Sequence, residues 1–490
     1  MRSKIITHGW KIRNDKVRGK GRVPIAGDAP ESIIAERYNY YIFSEAFMNV
    51  SMISLGCSKN LVDSERMLHR MKQAGFALTA DIEEADVAVV NTCGFIQAAK
   101  EEAIEQILSL IQRKEEGSLK RIVVTGCLAE RYKQEVSEQF PEVDAVIGIG
   151  DQNDICSVLE RVTAGDRVTQ FAPKNCMPLT GERLLSTLPF FAYLKIAEGC
   201  SNGCTYCAIP AIRGKFRSVP MEDVLDEARE LAASGVTELA VIAQDTSRYG
   251  EDLYGVSRLP ELLRQLCAIE GFRWIRVLYC YPERITDELI DVIASEPKIV
   301  KYLDIPLQHC NAEILKRMRR QGDRESLRTL IHKLRSRIPN LTLRTTLLVG
   351  FPGETQEQFD ELAEFVQEMR FDRMGCFAYS EEENTVAARM PDQVDEDVRQ
   401  HRAELLMEQQ MTVAAEKSAE RIGEITEAVI EGYDAEAEAW LARTPAEAPD
   451  VDGRLYLPEP PDAGYAVGQY VTVRITDAAD YDVIGEVTAR

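Results

Sequence analysis

The segment "EGCSNGCTYC", residues 198–207, places Cys200, Cys204 and Cys207 in a C-x3-C-x2-C array. It directly follows "FAYLKIA", an apolar run that predicts a buried strand. Three thiols this close together can all face one small object. A structural zinc ion normally takes four protein ligands, however, and disulfides need an even number of cysteines. The array therefore predicts a site that keeps one ligand position open.

The array opens a long series of alternating strand and helix patterns. Helical patterns such as "MEDVLDEARELAASG" and "TQEQFDELAEFVQEMR" separate six predicted strands, which are "FAYLKIA", "ELAVIAQ", "WIRVLYC", "KYLDIPL", "TLRTTLLVG" and "RMGCFAY". Six βα units of this kind predict a partial or complete barrel, whose active site lies at the carboxyl ends of the strands. The array falls in the loop after the first strand, and thus at that end.

A second set of three cysteines lies upstream, between Val50 and about Thr163. Here the strand patterns "VSMISLG", "VAVVNT" and "RIVVTG" alternate with helices, which predicts a parallel sheet with helices on both faces. Cys57, Cys93 and Cys127 each follow one of these strands, 36 and 34 residues apart. The carboxyl ends of parallel strands share one edge, so the three thiols are expected to meet there. The alternative is three unrelated buried cysteines, because Cys packs well as a small apolar residue.

The last part of the chain changes character. From about Gly423, short alternating strands with Gly and Pro at the turns predict a small β-barrel. Residues 421–490 contain fifteen acidic residues against five Arg and no Lys. This charge disfavours RNA and favours a cationic protein partner, although it is also compatible with an acidic face that only serves solubility. The predicted units are a basic arm or start-site extension (1–48), an α/β domain (49–163), a linker (164–189), the barrel with a trailing helix (190–420) and the β-domain (421–490).

Composition limits the class of protein. The chain has 490 residues, 45% of them hydrophobic, and a formal net charge of -22, which disfavours non-specific nucleic-acid binding. No apolar run approaches the roughly 18 residues of a membrane span, and no signal peptide is evident. Twelve cysteines without an export signal indicate a reducing compartment, so a cytoplasmic location is expected.

The N-terminal arm carries the opposite charge. Residues 1–23 contain eight Lys or Arg against the single Asp15. Such an arm could contact RNA or dock on a partner, or it could be a disordered tail or an over-long start. The first ordered pattern begins near Met48, which favours the second interpretation.

The available ligand side chains narrow the choice of metal site. The five histidines, His8, His69, His309, His332 and His401, form no pairs at ligand spacing. Thiolates without histidine suit zinc or an iron–sulfur cluster. A 4Fe–4S cube held by three cysteines leaves one iron open, which accounts for the missing fourth ligand. For the six remaining cysteines, core packing is expected: Cys156, Cys176, Cys267, Cys280, Cys310 and Cys376.

The array resembles the signature of radical S-adenosylmethionine (SAM) enzymes. With the upstream cysteines the resemblance narrows to methylthiotransferases, which carry a second three-cysteine cluster and a C-terminal TRAM β-domain. Within that family, the branch that modifies small-subunit ribosomal protein twelve is similar in "SLGCSKNLVDSE", "NTCGFI", "GCLAERY", "QDTSRYG", "YLDIPLQH" and "RTTLLVGFPGET". The resemblance covers about residues 50 to 490.

The resemblance implies a reaction and its cofactors. In the family, the open iron of the barrel cluster chelates the methionine part of SAM, and reductive cleavage yields a 5′-deoxyadenosyl radical. That radical attacks an unactivated C–H bond, here the β-carbon of an aspartate. A second 4Fe–4S cluster is expected to present the sulfur, and a second SAM to supply the methyl group. The implied partners are a basic ribosomal protein, free or on the ribosome, and an electron donor such as flavodoxin or ferredoxin.

Four polar residues near predicted strand ends are further candidates for contact with SAM or the substrate: Gln244, Asp245, Gln308 and Arg344. They could equally be polar rim residues that satisfy loop backbone. The segment "GFPGE", residues 350–354, could line the nucleoside site or simply form a tight turn.

Two other functions remain open at this stage. A tRNA-adenosine methylthiotransferase would use the same chemistry, but the acidic β-domain and "SLGCSKNLVDSE" count against it. A non-catalytic iron–sulfur carrier would normally ligate each cluster fully and has no need of open irons.

Overall fold

The computed structural model describes residues 48–489, so the expected N-terminal arm lies outside the described residues except for Met48. The first unit is an α/β domain with these elements: β1 (Asn49–Ser54), α1 (Ser58–Gln73), β2 (Ala77–Leu78), β3 (Val87–Thr92), α2 (Gln97–Glu115), β4 (Arg121–Gly126), α3 (Cys127–Tyr132), α4 (Gln134–Gln139), β5 (Ala145–Ile147), α5 (Ile155–Thr163) and β6 (Val168–Gln170).

The six strands form one parallel sheet in the order β2-β1-β3-β4-β5-β6. Its central strands are runs such as "VAVVNT", buried along their whole length, as expected for a sheet covered on both faces. Helices α1 and α5 cover one face, and α2 with α3 and α4 covers the other. The predicted parallel α/β architecture is confirmed. The edge strand β6 falls within the stretch expected to be a linker, because three residues are too few to show a periodic pattern.

The second unit contains the longest series of elements: β7 (Phe191–Lys195), β8 (Ala197–Glu198), α6 (Ile209–Arg213), β9 (Arg217–Ser218), α7 (Met221–Ala233), β10 (Glu238–Ile242), α8 (Glu251–Tyr254), α9 (Leu259–Ala268), β11 (Trp274–Val277), α10 (Asp287–Ser295), β12 (Ile299–Asp304), α11 (Ala312–Arg317), α12 (Arg324–Arg337), β13 (Thr342–Val349), α13 (Gln356–Met369), β14 (Arg373–Ala378) and α14 (Glu396–Glu420).

Six parallel strands of this unit form an open, curved sheet in the order β14-β13-β12-β11-β10-β7. Successive side chains of a strand point to opposite faces. On β7, Ala192 and Leu194 join the large core formed with the outer helices, whereas Phe191 and Tyr193 belong to a separate cluster on the inner face. The unit is thus a partial (β/α) barrel, as predicted, and its inner face lines a lumen.

The third unit is a closed barrel of five strands in the order β15-β16-β17-β19-β18. Its strands are β15 (Ile425–Asp434), β16 (Ala439–Arg443), β17 (Leu455–Leu457), β18 (Tyr470–Ala479) and β19 (Asp482–Ala489). The predicted small β-barrel is confirmed. The last two strands, β18 and β19, form a hairpin that turns where Asp480 adopts a left-handed conformation (φ 53°).

The small barrel closes the amino-terminal end of the large one. Its loop of residues 444–453 places Asp452 against Tyr302, whose hydroxyl donates to the carboxylate at 2.7 Å. Arg276 of β11 donates to the carbonyl of Pro445 at 2.9 Å, and Arg443 of β16 pairs with Glu238 of β10 at 2.6 Å. These side chains are buried, so the third unit supplies the floor of the lumen.

No helix within residues 48–489 is both long enough and apolar enough to cross a membrane.

Candidate active site

The carboxyl edge of the first sheet faces the mouth of the partial barrel. Helix α1 makes the contact, because Leu61 and Val62 pack against Tyr193 and Ile242 from the inner face of the barrel. Cys57 is the N-cap residue of α1, so this helix brings one cysteine of the upstream set to the mouth.

The array lies between β8 and α6, in a loop held close to the backbone around it. Gly199 has a φ of 78°, and a Cβ there would lie 2.3 Å from the carbonyl oxygen of Lys215. Backbone amides donate to two of the thiols, from Asn202 to Cys200 at 3.5 Å and from Ile209 to Cys207 at 3.4 Å. Burial raises the pKa of Cys200 to about 11 and that of Cys207 to about 12. Burial disfavours the charged thiolate form of these cysteines, whereas the amide donors favour it. A bound cation would stabilise the thiolates further, so the loop suits a metal-containing group.

The upstream cysteines come together at the edge of the sheet. Cys93 follows β3 and Cys127 begins α3, while Cys57 precedes α1. The loops leave little space, since a Cβ on Gly56 (φ 87°) would lie 2.6 Å from the Cβ of Cys93. Burial, with Cys127 and Cys57 close by, raises the pKa of Cys93 to about 12. The structure thus brings to one edge three thiols that are far apart in sequence.

One buried arginine links the upstream set to the helix that follows the array. Arg213, the last residue of α6, donates from Nε to the Sγ of Cys127 at 3.3 Å. The same guanidinium donates to Asp63 of α1 at 2.6 Å and to Asn60 at 2.9 Å. Although burial alone would lower its pKa, Cys127, Glu198 and Asp63 hold the pKa of Arg213 well above its ordinary value. The cation is therefore permanent, and it spans the boundary between the two domains.

Lys195 completes this network at the base of the array. Its ammonium pairs with Glu198 at 2.8 Å and also contacts Asp63. Burial raises the pKa of Glu198, but Lys195 and Arg213 more than offset that effect, and its pKa lies well below the usual range. Two cations thus meet two carboxylates in a region closed to water, which fixes α1 against the first strand of the barrel.

The donor atoms of the two cysteine sets bear on the kind of metal site. Within the described part of the chain, no three Cys, His, Asp or Glu side chains converge as they would around one ion. All donors in the two sets are thiols without a histidine, which is the donor chemistry of an iron–sulfur cluster.

Two of the four polar candidates lie beside the array. Gln244, after β10, donates to Glu198 at 2.8 Å, and its Oε1 is buried without a hydrogen-bond partner among the described residues. Asp245 is fully buried and accepts from Asn202 at 2.8 Å and from Ser247 at 2.5 Å. Asp245 therefore fixes the loop of the array, whereas Gln244 has an acceptor left for a ligand.

The other two candidates lie on the opposite side of the lumen. Gln308 follows β12 with a φ of 73°, and its backbone bonds to Thr346 and Leu348. Arg344 of β13 reaches Asp304 at 3.6 Å and Asp452 at 3.9 Å. The structure therefore does not bring all four candidates to one place.

The segment "GFPGE" is a tight turn packed on the trailing helix. Gly350 and Gly353 have φ values of 69° and 78°. A Cβ at either position would collide with an arginine, Arg399 or Arg317. The left-handed backbone at both positions favours glycine, which supports the turn interpretation.

Sequence reasoning missed several residues at the site. The hydroxyl oxygen of Tyr281 lies 3.6 Å from the Sγ of Cys204. The guanidinium of Arg320 stacks on the Tyr281 ring, 4.1 Å from its centre. Lys59 and Arg213 were also missed, since neither has a distinctive spacing from the cysteines. Of the cysteines expected in the core, Cys176 is exposed, and the expectation is wrong there.

Comparisons with known proteins agree with this architecture. The family described as Uncharacterized protein family UPF0004 matches residues 49–148, the Radical SAM superfamily matches residues 194–366, and the TRAM domain matches residues 422–488. A solved structure of the radical SAM methyltransferase TsrM from Kitasatospora setae has a TM-score of 0.51 at 14% identity, covering 67% of this chain and 72% of that one. The fold and the cysteine array together define a radical SAM protein.

Curated relatives make the family specific. The "Ribosomal protein uS12 methylthiotransferase RimO" of Lachnoclostridium phytofermentans is 49% identical over 439 residues, covering 89% of this chain and 99% of that protein. The proteins of the same name from Geobacter sulfurreducens and Clostridioides difficile are 48% and 46% identical, each covered over 99% of its length by about nine-tenths of this chain. The chain belongs to the ribosomal protein uS12 methylthiotransferase family of radical SAM enzymes.

The residues present fit the cofactors of such an enzyme. Each set offers three thiols and leaves one coordination position of a cube for another ligand. The unpartnered Oε1 of Gln244 lies beside the array, where a SAM amino group or hydroxyl could donate to it.

Proposed function

We propose that this chain is a methylthiotransferase that converts a C–H bond at the β-carbon of an aspartate in ribosomal protein uS12 into a C–SCH3 group. One observation carries the proposal: Arg213, which follows the array in α6, donates to Cys127 of the upstream set, so the two sets of three thiols belong to different domains that meet at this arginine. A carrier of electrons would have no need for two open sites that share one enclosed mouth.

Each set has a separate role in this proposal. Cys200, Cys204 and Cys207 hold one 4Fe–4S cluster, and Cys57, Cys93 and Cys127 hold the other. When bound, the first supplies the electron that cleaves SAM into a radical able to attack an unactivated C–H bond, and the second supplies the place from which sulfur is transferred.

The protein's own residues hold the reactants and exclude water. Gln244 presents an acceptor for SAM beside the array. The third domain closes the floor of the lumen through buried contacts such as Tyr302 with Asp452. The substrate segment therefore enters at the mouth, where both sets lie.

The acidic third domain favours a basic protein as the partner. Glu436 and Glu438 are exposed at the β15–β16 turn, where a cationic surface could approach them. The same charge disfavours tRNA, which is the substrate of the alternative function. We place the reaction in the cytoplasm, on free or ribosome-bound uS12, with flavodoxin or ferredoxin as electron donor.

Mass spectrometry of uS12 tests the proposal. Deleting the gene should remove about 46 Da from one aspartate-containing peptide, the mass that this cofactor chemistry adds. Supplying the wild-type gene should restore it, and supplying a variant with Cys200, Cys204 and Cys207 changed to Ala should not. An unchanged uS12, together with a methylthio group missing from tRNA, would contradict the proposal and support the alternative.

A further inference from the structure

Lys59 is a buried cation that contacts no carboxylate directly within the described residues, although Asp304 lies near enough to feel its charge. Its side chain is 7% exposed, and among residues 48–489 it makes no hydrogen bond or ion pair. Its ammonium instead lies 3.0 Å from the centre of the Tyr279 ring. The other two buried lysines of this region, Lys100 and Lys195, both pair with carboxylates. Burying an unpaired charge is costly, so Lys59 is the exception that needs a physical reason.

The position of Lys59 makes this exception more pronounced. It is the second residue of α1, where the helix dipole is already positive. A cation here is unfavourable by itself, whereas an anion would be stabilised by both the side chain and the dipole. No acidic residue lies in the first turn of α1 to provide that anion.

Tyr279 holds Lys59 at the mouth of the barrel and is itself strained. It follows β11 with a φ of 64°, a conformation that is rare for a bulky residue. Such strain is found mostly at functional sites, where the surrounding structure maintains it. The strained backbone places the ring directly under the ammonium.

The nearest ionisable groups in the lumen are compatible with an added carboxylate. Asp304 of β12 has an Oδ1 without a hydrogen-bond partner among the described residues, and Arg344 reaches that oxygen only at 3.6 Å. Burial raises the pKa of Asp304, although Arg344 and Lys59 oppose the effect. Both neighbouring cations, Arg344 and Lys59, would attract an added carboxylate, and Arg344 is not held by a short contact to Asp304.

We propose that Lys59 binds the side-chain carboxylate of the residue that is modified, and so acts as a specificity-determining residue for aspartate. This inference rests on the proposed function. An ammonium–carboxylate hydrogen bond would hold the acid at the mouth, with its β-carbon one bond away from the anchored group and close to both cysteine sets. A neutral amide of the same shape would gain much less from the same contact.

The test compares binding of two forms of the substrate. Cluster-loaded enzyme with SAM is titrated anaerobically with uS12 and with uS12 in which the target aspartate is changed to Asn. The wild type should bind the Asn form roughly tenfold or more weakly, the usual scale for a hydrogen bond to a charged group. Lys59→Met should bind both forms equally, and Lys59→Arg should regain part of the difference.

A matched control is available on the same domain. Lys120 precedes β4, so it lies at the opposite edge of the sheet, where it pairs with Asp86 in solvent. Lys120→Met makes the same change of charge and should keep the full preference for the aspartate form. Iron content per chain, measured for each variant, reports whether the cysteine sets remain loaded.

Three results would overturn the role of Lys59. One is a Lys59→Met enzyme that still prefers the aspartate form as strongly as the wild type does. The second is weaker binding of SAM with an unchanged preference, which would assign the carboxylate to the methionine part of the cofactor. The third is loss of iron with an unchanged preference, which would make Lys59 a counter-charge for a cluster.

Failure of the proposed function would look different. In that case the wild type would neither bind nor modify uS12, and the assignment of Lys59 would fall with it. If the wild type and the Lys59→Met variant prefer the aspartate form to the same extent, the role of Lys59 is wrong but the proposed function stands.

Discussion

The two cysteine sets reach equivalent positions in very different ways. Cys200, Cys204 and Cys207 occupy a single loop of eight residues, whereas Cys57, Cys93 and Cys127 span 71 residues and three strands. The local set needs one loop to fold correctly. The dispersed set needs the register of β1, β3 and β4 as well, so its geometry depends on the whole sheet. The two sets should therefore differ in how they respond to substitution.

Removing the thiols should give the largest effect. With all six present, anaerobically prepared protein should hold roughly eight irons per chain, about four in each cube. Changing Cys200, Cys204 and Cys207 to Ala should remove about half of this iron and abolish cleavage of SAM. Changing the upstream three should remove the other half and leave some cleavage to 5′-deoxyadenosine. Full iron content in either variant would contradict the assignment of two sites.

Breaking the link between the sets should have the next largest effect. Arg213→Ala leaves Asp63 and Glu198 buried with only Lys195 to compensate them, at a cost of about 3 kcal/mol. Denaturant unfolding of the metal-free protein measures this loss. Arg213→Lys keeps the charge but loses the fork of donors to Cys127 and Asn60, so it should recover only part of the stability.

Substitution of Arg213 should also change the reduction potential of the upstream cluster. The hydrogen bond to Cys127 is expected to raise the reduction potential of the upstream cluster, because it stabilises negative charge on the sulfur. Both Arg213 variants should lower that potential more than that of the array cluster in an anaerobic EPR titration. Equal shifts in the reduction potentials of the two clusters, with an unchanged free energy of unfolding, would show that Arg213 does not link the two cysteine sets.

A matched pair of glycines compares the tolerance of the two sets. Gly56→Ala combines a left-handed φ of 87° with a Cβ 2.6 Å from Cys93, so about 3 kcal/mol is expected. Gly203→Ala, inside the array, has a φ of 71° but meets nothing within 4 Å, and strain alone should cost about 1 kcal/mol. Iron analysis should show the upstream set depleted in the first variant and neither set depleted in the second. The reverse order would mean that the dispersed set is the more tolerant one.

Charge on the third domain should have the smallest effect, because it acts on encounter alone. Glu436 and Glu438 are exposed, and changing both to Lys should slow association with uS12 a few-fold at low salt. The difference should disappear at high salt, where exposed charges are screened. Stopped-flow mixing at two salt concentrations measures it. As a control, Glu404 and Glu408, which are exposed on α14 of the second unit, are also changed to Lys. This change should leave the association rate unaltered.

Much of the architecture could be predicted because its signals are local. Each of the six barrel strands overlaps its predicted run, and the main errors lie at the ends. "KYLDIPL" was predicted as one strand, but β12 ends at Asp304, shortly before Pro306, which has no N–H to donate to a ladder. The helix expected after "RIVVTG" is two short helices, α3 and α4, broken at Lys133, where φ is 49°. The individual strands of the small barrel are harder to predict, since β16, "AWLAR", is short and lacks a clear alternation.

The position of both cysteine sets also followed from the sequence, since each cysteine comes directly after a predicted strand. The contacts between domains did not. Arg213 meets Asp63, and Lys59 meets Tyr279, only after α1 packs on the barrel, and nothing in their spacing records either contact. Counting charges in the sequence likewise does not show which of them are already paired within the protein. Glu431 counts toward the acidic total of the third domain, yet it is committed to the buried Arg443 at 2.9 Å and is not free to meet a partner.

The floor of the large barrel has a consequence for synthesis. The chain leaves the ribosome from its N-terminus, so β14 is complete at Ala378, before the residues that cover Arg276 and Tyr302 from below. At ordinary translation rates, residue 452 follows roughly 4 to 15 s later. During that interval both cysteine sets already exist on a barrel that is open at its lower end. Loss of residues 444–453, as in a prematurely terminated chain, would leave Arg276 without its Pro445 acceptor and Tyr302 without Asp452. The lumen is therefore sealed only after residues 444–453 have been made and have docked.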